Sequence, residues 1–153
     1  MHYDILTSDL IQRAAQLART LGHSYVGSAH LLLVMAREPG AAGQTLRLLG
    51  MDPDLTEAMA RLLYGMGTPE LPLPQGLTGE SRALLRGAAR EAKILGSREI
   101  TPQHLLLAMA RRENSDAYEL LKLNDGVLEQ VYPTRAGSGE AVEPISWDKR
   151  SVV

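Results

Sequence analysis

Two histidines, His30 and His104, are the residues of this sequence whose side chains could do chemistry in a repeated setting. A neutral imidazole can bind a metal ion or act as a general base. Each histidine directly precedes a run of three leucines, and the two histidines lie 74 residues apart. The chain has no cysteine, and neither histidine has a carboxylate at ligand spacing. This pattern favours a packed histidine near a helix start. A metal-binding protein or small helical enzyme using both is the rival interpretation.

Other catalytic arrangements are missing from the sequence. No glycine-framed serine elbow is present, and no serine, histidine and aspartate are placed together by a motif. No G-x-x-x-x-G-K-[ST] loop is present to cradle the phosphates of ATP. The sequence therefore predicts no enzymatic activity and no cofactor in this chain. His2 and His23 are expected to be exposed and to carry no information about function.

The histidines belong to an internal repeat that fills most of the chain. Residues 30–37 recur almost unchanged as residues 104–111, and the same register extends upstream and downstream without a gap. Such a repeat predicts two copies of one helical unit. The leucine runs cover more than one helix face, so the helices that carry them should be the central ones. We expect the copies to pack back to back as a pseudo-twofold all-α bundle of about eight short helices.

Composition narrows the function classes. The chain has 153 residues, no Phe and a formal net charge of −2. Nucleic-acid binding is not expected, because no basic block is present. A membrane span is not expected either, because no apolar run approaches the roughly 18 residues needed. The absence of cysteine fits a reducing cytoplasm. A monomer is expected, since the two copies cover each other's apolar faces.

Periodicity and capping signals predict the helices and the domain plan. We expect caps at Asp4, Ser28, Asp52, Thr78 and Thr101, and helices that end near Leu21, Arg37, Leu49, Tyr64, Leu95, Arg112 and Leu123, followed by a short helix after Asp125 that stops before Pro133. In the first helix, Ile5 and Leu10 should face the core. The predicted domain covers residues 1–132, with one repeat at about 1–64, a linker at 65–77 and a second repeat at about 78–132. Residues 133–153 should form a flexible tail or tether.

Residues 21–33, Leu-Gly-His-Ser-Tyr-Val-Gly-Ser-Ala-His-Leu-Leu-Leu, resemble the double Clp repeat, the N-terminal domain of Clp-type AAA+ unfoldases. Residues 37–50 are similar to the segment that follows it in that family. The similarity is closest to the ClpC and ClpA branch and covers about residues 1–132. The resemblance implies a rigid eight-helix bundle that recruits protein substrates and adaptor proteins to ATPase rings in cis. A free-standing Clp-repeat protein, acting as an adaptor, competitor or stress-related binder, is the alternative.

The resemblance also implies where proteins bind. In ClpC-like members, a capping threonine at a helix start meets the phosphate of phosphoarginine, and the glutamate of Gly-Thr-Glu-His meets its guanidinium. Here the glutamate positions hold Ala29 and Gln103, and the threonine positions hold Asp4 and Thr78. Paired within each repeat, these residues predict a dead first site and a weakened second site. The candidate binding residues at these helix starts are Tyr3, Asp4, Ser28, Ala29, Thr78, Gly79, Glu80, Pro102 and Gln103, with Tyr25 beside them.

Overall fold

The computed structural model describes residues 1–67, 74–124 and 126–131. The helices are α1 (Ile5–Thr20), α2 (Ser28–Arg37), α3 (Ala41–Leu48), α4 (Pro53–Tyr64), α5 (Gly79–Ile94), α6 (Pro102–Arg111), α7 (Asp116–Leu123) and α8 (Val127–Val131). The all-α prediction is confirmed. Residues 68–73 of the predicted linker, Asp125, and the predicted tail at 133–153 with Trp147 lie outside the described residues.

Local capping explains where these helices begin. The Asp4 carboxylate accepts a hydrogen bond from the Thr7 backbone N–H at 2.8 Å, and the Thr78 hydroxyl accepts one from the Ser81 N–H at 3.0 Å. Both satisfy an amide that the helix itself leaves without a partner. Ser28 was predicted as the cap of α2, and this is wrong: Gly27 is the N-cap, and Ser28 is the first helical residue.

The two leucine-rich helices form the centre of the bundle, as predicted. In α2 and in α6, eight of ten residues are buried. Every helix contributes side chains to the core around them. Most of these are leucine and alanine, with a few methionine, valine and isoleucine side chains. Two residues near the start of α1 show which side of the helix faces the core: Thr7 is fully buried, whereas Ile5 is 86% exposed. The prediction that Ile5 faces the core is therefore wrong.

Short extended segments, which periodicity did not predict, join the two copies. Strand β1 (His2–Tyr3) pairs in parallel with β2 (Glu99–Ile100), and Val26 forms a parallel bridge with Leu77. Adding the 74-residue repeat spacing to Tyr3 gives Leu77, and adding it to Val26 gives Ile100. The two pairings are therefore equivalents of each other. Each copy places the strand before its first helix against the other copy.

The described ends of the linker are bound to the connector between α1 and α2. The Gly67 N–H donates to the Leu21 carbonyl at 2.8 Å, and the Gln75 N–H donates to the Ser24 carbonyl at 2.8 Å. A Cβ atom at Gly67 would lie 1.9 Å from the carbonyl oxygen of Gly22. Only glycine allows the chain to pass so close at this point.

Candidate functional site

The first candidate site lies where the start of α1 meets the start of α6. The Asp4 N–H donates to the Ile100 carbonyl at 2.9 Å, and the Thr7 hydroxyl donates to the same oxygen at 3.0 Å. Ile100 is followed directly by Thr101, the cap of α6. These bonds hold Asp4 beside the helix start that carries Pro102 and Gln103.

The second candidate site is the equivalent place in the other half. The Thr78 N–H donates to the Val26 carbonyl at 3.0 Å, and the Ser81 hydroxyl donates to that oxygen at 2.9 Å. A Cβ atom at Gly27 would lie 4.0 Å from the Thr78 methyl group. Thr78 therefore lies beside the start of α2, where Ser28 and Ala29 are.

Both sites thus combine a helix start of one copy with a helix start of the other. The expectation that each pair comes from a single repeat is wrong, because the strand pairings exchange the partners. Asp4 meets the helix start with Gln103, and Thr78 meets the helix start with Ala29. Neither helix start carries a glutamate at the position of Ala29 or Gln103.

Polar groups of the second site are used inside the fold. The buried Ser28 hydroxyl donates to the Glu80 carboxylate and accepts from the Ala117 N–H at 2.9 Å. The same Glu80 oxygen accepts from the Asp116 N–H at 3.3 Å. Ser28 and Glu80 therefore satisfy the first amides of α7. Burial, followed by the negative charges of Glu80 and Glu119, raises the pKa of Asp116. Gly79 is exposed beside this network.

The first site presents apolar side chains to solvent. Tyr3, Ile5 and Leu6, which are close to Asp4 in the sequence, are exposed, and so is Met1. Sequence reasoning found Tyr3 and Asp4 but missed Ile5 and Leu6. The signal that could have found them is the α1 periodicity read from Thr7, which places Leu10, Ala14 and Ala18 inside and the two preceding apolar residues outside.

A buried carboxylate lies under this surface. Glu38 is 8% exposed, and its Oε1 atom has no hydrogen-bond partner among the described residues. The carboxyl group faces Gly40, where an added Cβ would be 3.1 Å from Oε1 and 4.0 Å from Leu6 Cδ1. Burial, followed by the charge of Asp4, raises the pKa of Glu38. The first site therefore has two acidic groups, Asp4 and Glu38, and the charges of Arg13 and Arg47 partly offset the rise in the pKa of Glu38.

The histidines of the first copy form a hydrogen-bonded chain. The Gly27 N–H donates to His30 Nδ1 at 2.9 Å, so His30 carries its proton on Nε2. His30 Nε2 lies 2.8 Å from His23 Nδ1, and His23 Nε2 lies 3.0 Å from the Gly65 carbonyl oxygen. Burial, followed by the charge of His23, lowers the pKa of His30 to about 4. His23, which was predicted to be exposed, is half-buried and hydrogen-bonded on both ring nitrogens.

His104 repeats the capping contact without the second imidazole. The Thr101 N–H donates to His104 Nδ1 at 2.9 Å, and Ser97 stands where the first copy has His23. His104 Nε2 is buried without a partner among the described residues. Burial lowers the pKa of His104. Both histidines are packed at helix starts, and residues 1–67, 74–124 and 126–131 contain no group of three or more metal-ligating side chains.

Within the described part of the chain, no helix is both long and apolar enough to cross a membrane. The hydrogen bonds described above at the two sites join backbone groups, helix caps and side chains of the fold. The arrangement is thus suited to binding at a surface, with one apolar, exposed helix start and one whose polar groups hold α7.

Comparison with known proteins identifies the family. The model of the Clp repeat (R) N-terminal domain matches residues 6–124. A probable ATP-dependent Clp protease ATP-binding subunit of Chlamydia pneumoniae is 32% identical over 116 residues, which cover 74% of this chain and 14% of that protein. The chaperone protein ClpB of Corynebacterium diphtheriae is 30% identical over 143 residues, covering 86% of this chain and 16% of that protein. The chain thus spans only a small part of the length of these relatives.

Solved structures show the same fold. The N-terminal domain of ClpD from Arabidopsis thaliana superimposes with a TM-score of 0.66 at 15% identity, covering 84% of this chain and 90% of that one. The N-terminal domain of the E. coli ClpV1 ATPase gives a TM-score of 0.63 at 22% identity, covering 87% and 85%. The internal repeat, the eight-helix fold and the family match agree, and the chain belongs to the Clp repeat N-terminal domain family.

Proposed function

We propose that this chain recruits protein substrates or adaptor proteins to a Clp-type ATP-dependent unfoldase, and that it does no chemistry of its own. Relatives that share its family are ATP-binding subunits of Clp proteases and Clp chaperones. The ATPase rings are proposed to lie in cis. An immunoblot of source cells with an antibody against residues 1–131 should then detect a band several times heavier than 16.6 kDa. A band at that mass would favour the free-standing alternative.

The exposed apolar surface at the first site is the observation that carries the proposal. We name this surface the α1 patch and define it as Met1, Tyr3, Ile5 and Leu6. Ile5 is almost fully in water although it lies at the start of a helix in a well-packed bundle. Clusters of exposed apolar side chains mark protein-interaction sites more often than single exposed residues do. Asp4 and Gln103 provide polar groups beside the patch, so that a bound segment can be oriented.

The second site is proposed to contribute less. Ser28 and Glu80 are already bonded to each other and to α7. Using them for a partner would leave the first amides of α7 without acceptors, at a cost of about 1–3 kcal/mol for each buried group. Recruitment should therefore depend on the α1 patch.

The test is a binding titration with a permanently unfolded protein, such as fluorescently labelled, reduced and carboxymethylated α-lactalbumin, followed by anisotropy. Ile5→Asp should weaken binding by roughly 10- to 100-fold, because burial of an isoleucine side chain contributes about 1.5–3 kcal/mol. Leu48→Asp is the matched control, because Leu48 in α3 is also 86% exposed but lies outside the patch. Equal affinities of the two variants, or no binding by the unmodified chain, would contradict the proposal.

A further inference from the structure

A groove of about 650 Å³ lies between α5 and α6, and none of its lining residues belongs to either candidate site. Small residues, Ala83, Gly87 and Ala108, form its floor, and the exposed Ile94 adds apolar surface to its lining. Ligand sites of proteins commonly have volumes of about 300–1,000 Å³. The groove is therefore large enough to hold a short segment of peptide.

The groove is open because two small residues of α5 stand where α1 has an ion pair. With the 74-residue repeat spacing, Arg13 corresponds to Gly87, and Asp9 corresponds to Ala83. In the first copy, Arg13 Nε lies 2.9 Å from Asp9 Oδ2, so this pair covers the helix surface at these positions. In the second copy, a Cβ atom at Gly87 would lie 3.3 Å from the Ala108 methyl group. The helices thus approach closely here, and no long side chain fills the space beside them.

The charge of the groove also differs from that of the first copy. Arg112 stands where the first copy has Glu38, and Arg90 stands where it has Gln16. Both arginines are exposed. Arg90 Nη2 lies 3.6 Å from the position that a Cβ atom would take at Gly87, so this guanidinium lies directly at the groove floor. The second copy therefore presents cations where the first copy has a carboxylate and an amide.

The acidic residues of the lining do not neutralise these arginines. Arg111 Nε lies 3.2 Å from Oε1 of Glu91, which is buried in the groove wall. Arg90 and Arg112 form no ion pair with a described residue. Glu113 is the remaining acidic residue of the lining. Three arginines against two glutamates give the groove a net positive charge, although the whole chain has a formal net charge of −2.

We propose that this groove binds an acidic segment of a partner protein, whose carboxylates pair with Arg90 and Arg112 and whose apolar side chains pack against Ile94. A guanidinium presents a fork of N–H donors that matches the two oxygens of a carboxylate. Leu84 and Ile94 line the groove together with the arginines, and this mixture suits a peptide better than a small inorganic anion. The site is separate from the α1 patch, where Asp4 would repel an acidic segment.

The test is a titration of the unmodified chain against a rhodamine-labelled peptide, Ala-Leu-Glu-Leu-Glu-Ala, followed by anisotropy. The matched peptide, Ala-Leu-Gln-Leu-Gln-Ala, keeps the size and the apolar residues but removes both charges. The acidic peptide should bind at least about tenfold more tightly, because hydrogen bonds between charged groups are stronger than those between neutral groups.

Variants of the chain locate the contact. Arg90→Glu with Arg112→Glu should weaken binding of the acidic peptide at least about tenfold and should introduce binding of the peptide Ala-Leu-Lys-Leu-Lys-Ala. The matched control is Arg19→Glu with Lys122→Glu, which changes the net charge equally at exposed positions outside the groove and should leave the affinity unchanged. Far-UV circular dichroism of every variant verifies the fold.

The two binding surfaces are distinguished by Ile5→Asp, which should weaken binding of unfolded protein at the α1 patch but leave the affinity for the acidic peptide unchanged. Four outcomes would overturn the groove proposal. They are no saturation by the acidic peptide up to about 1 mM, equal affinities for the acidic and the glutamine peptide, equal losses in the groove variant and its control, and displacement of the peptide by an equal concentration of inorganic phosphate, which would assign the groove to free anions.

Discussion

Acid should destabilise this fold through His30. Its pKa lies near 6.5 in the unfolded chain and at about 4 in the folded protein, because burial disfavours the charged imidazole and His23 adds to the effect. Between these values, the unfolded state binds the proton and the native state does not, so stability falls as pH falls. From pH 8 to pH 5, this single group should cost about 2 kcal/mol of the free energy of unfolding. His104 acts in the same direction.

Other groups oppose this trend and require a differential measurement. The pKa values of Glu38, Glu91 and Asp116 are raised, mainly by burial, so these carboxyl groups add stability as pH falls. A change in the unmodified protein alone therefore does not isolate His30. The variant His30→Gln removes the imidazole, and glutamine can still accept the N–H of Gly27 from this position in the first turn.

The assay is urea unfolding followed by far-UV circular dichroism at pH 8 and pH 5, for both proteins. The unmodified chain should lose about 2 kcal/mol more than His30→Gln over this interval. Any constant penalty of the substitution, such as the lost bond to His23, cancels in the difference. Equal losses in the two proteins would refute the assignment of a buried, neutral His30.

Three more predictions follow from the packing and from the sites. Leu106 is fully buried in α6, so Leu106→Asp should abolish the helical circular dichroism spectrum. Its control, Leu62→Asp, lies at a position that is 87% exposed and should preserve the spectrum. A folded Leu106→Asp protein would contradict the central place of α6. Ser28→Ala should lower the free energy of unfolding by about 1–3 kcal/mol, because it removes an acceptor from the Ala117 N–H, and the exposed Ser8→Ala is its control. If both serine variants unfold at the same urea concentration, the contact to α7 is not stabilising. Calorimetry should detect no binding of free phosphoarginine by the unmodified chain, because Asp4 places a carboxylate, which repels phosphate, at one capping position, and because Ala29, beside the other cap, is buried and cannot pair with a guanidinium. Binding by the unmodified chain would show that the sites use other groups.

Much of the fold could be predicted because its signals are local. Asp4, Asp52 and Thr78 are caps, and the ends of the helices follow from glycines and prolines near them. The leucine runs identify the central helices because their apolar residues cover more than one face. The position of Ser28 was misjudged because a serine before an apolar run is a capping signal, while its partner Ala117 lies 89 residues away.

The candidate sites were harder to predict because they depend on contacts between the copies. Tyr3 and Asp4 were found through the resemblance, but the exposure of Ile5 depends on Thr7 bonding to Ile100, 93 residues away. Similarly, His23 has a role only because His30 and Gly65 are brought to it. A pattern of neighbouring residues cannot predict contacts between residues that lie tens of positions apart in the sequence.

The sequence by itself determined that the protein is two copies of one helical unit, which helices are central, and which family the chain resembles. These features follow from repetition, periodicity and capping, all of which act within a few residues. The tertiary structure alone decided that each copy places the segment before its first helix against the other copy. Pairings of two residues or fewer have no sequence signature, and their partners are chosen by the packing of the whole bundle. This exchange places Asp4 beside the helix start that carries Gln103, and Thr78 beside the helix start that carries Ala29.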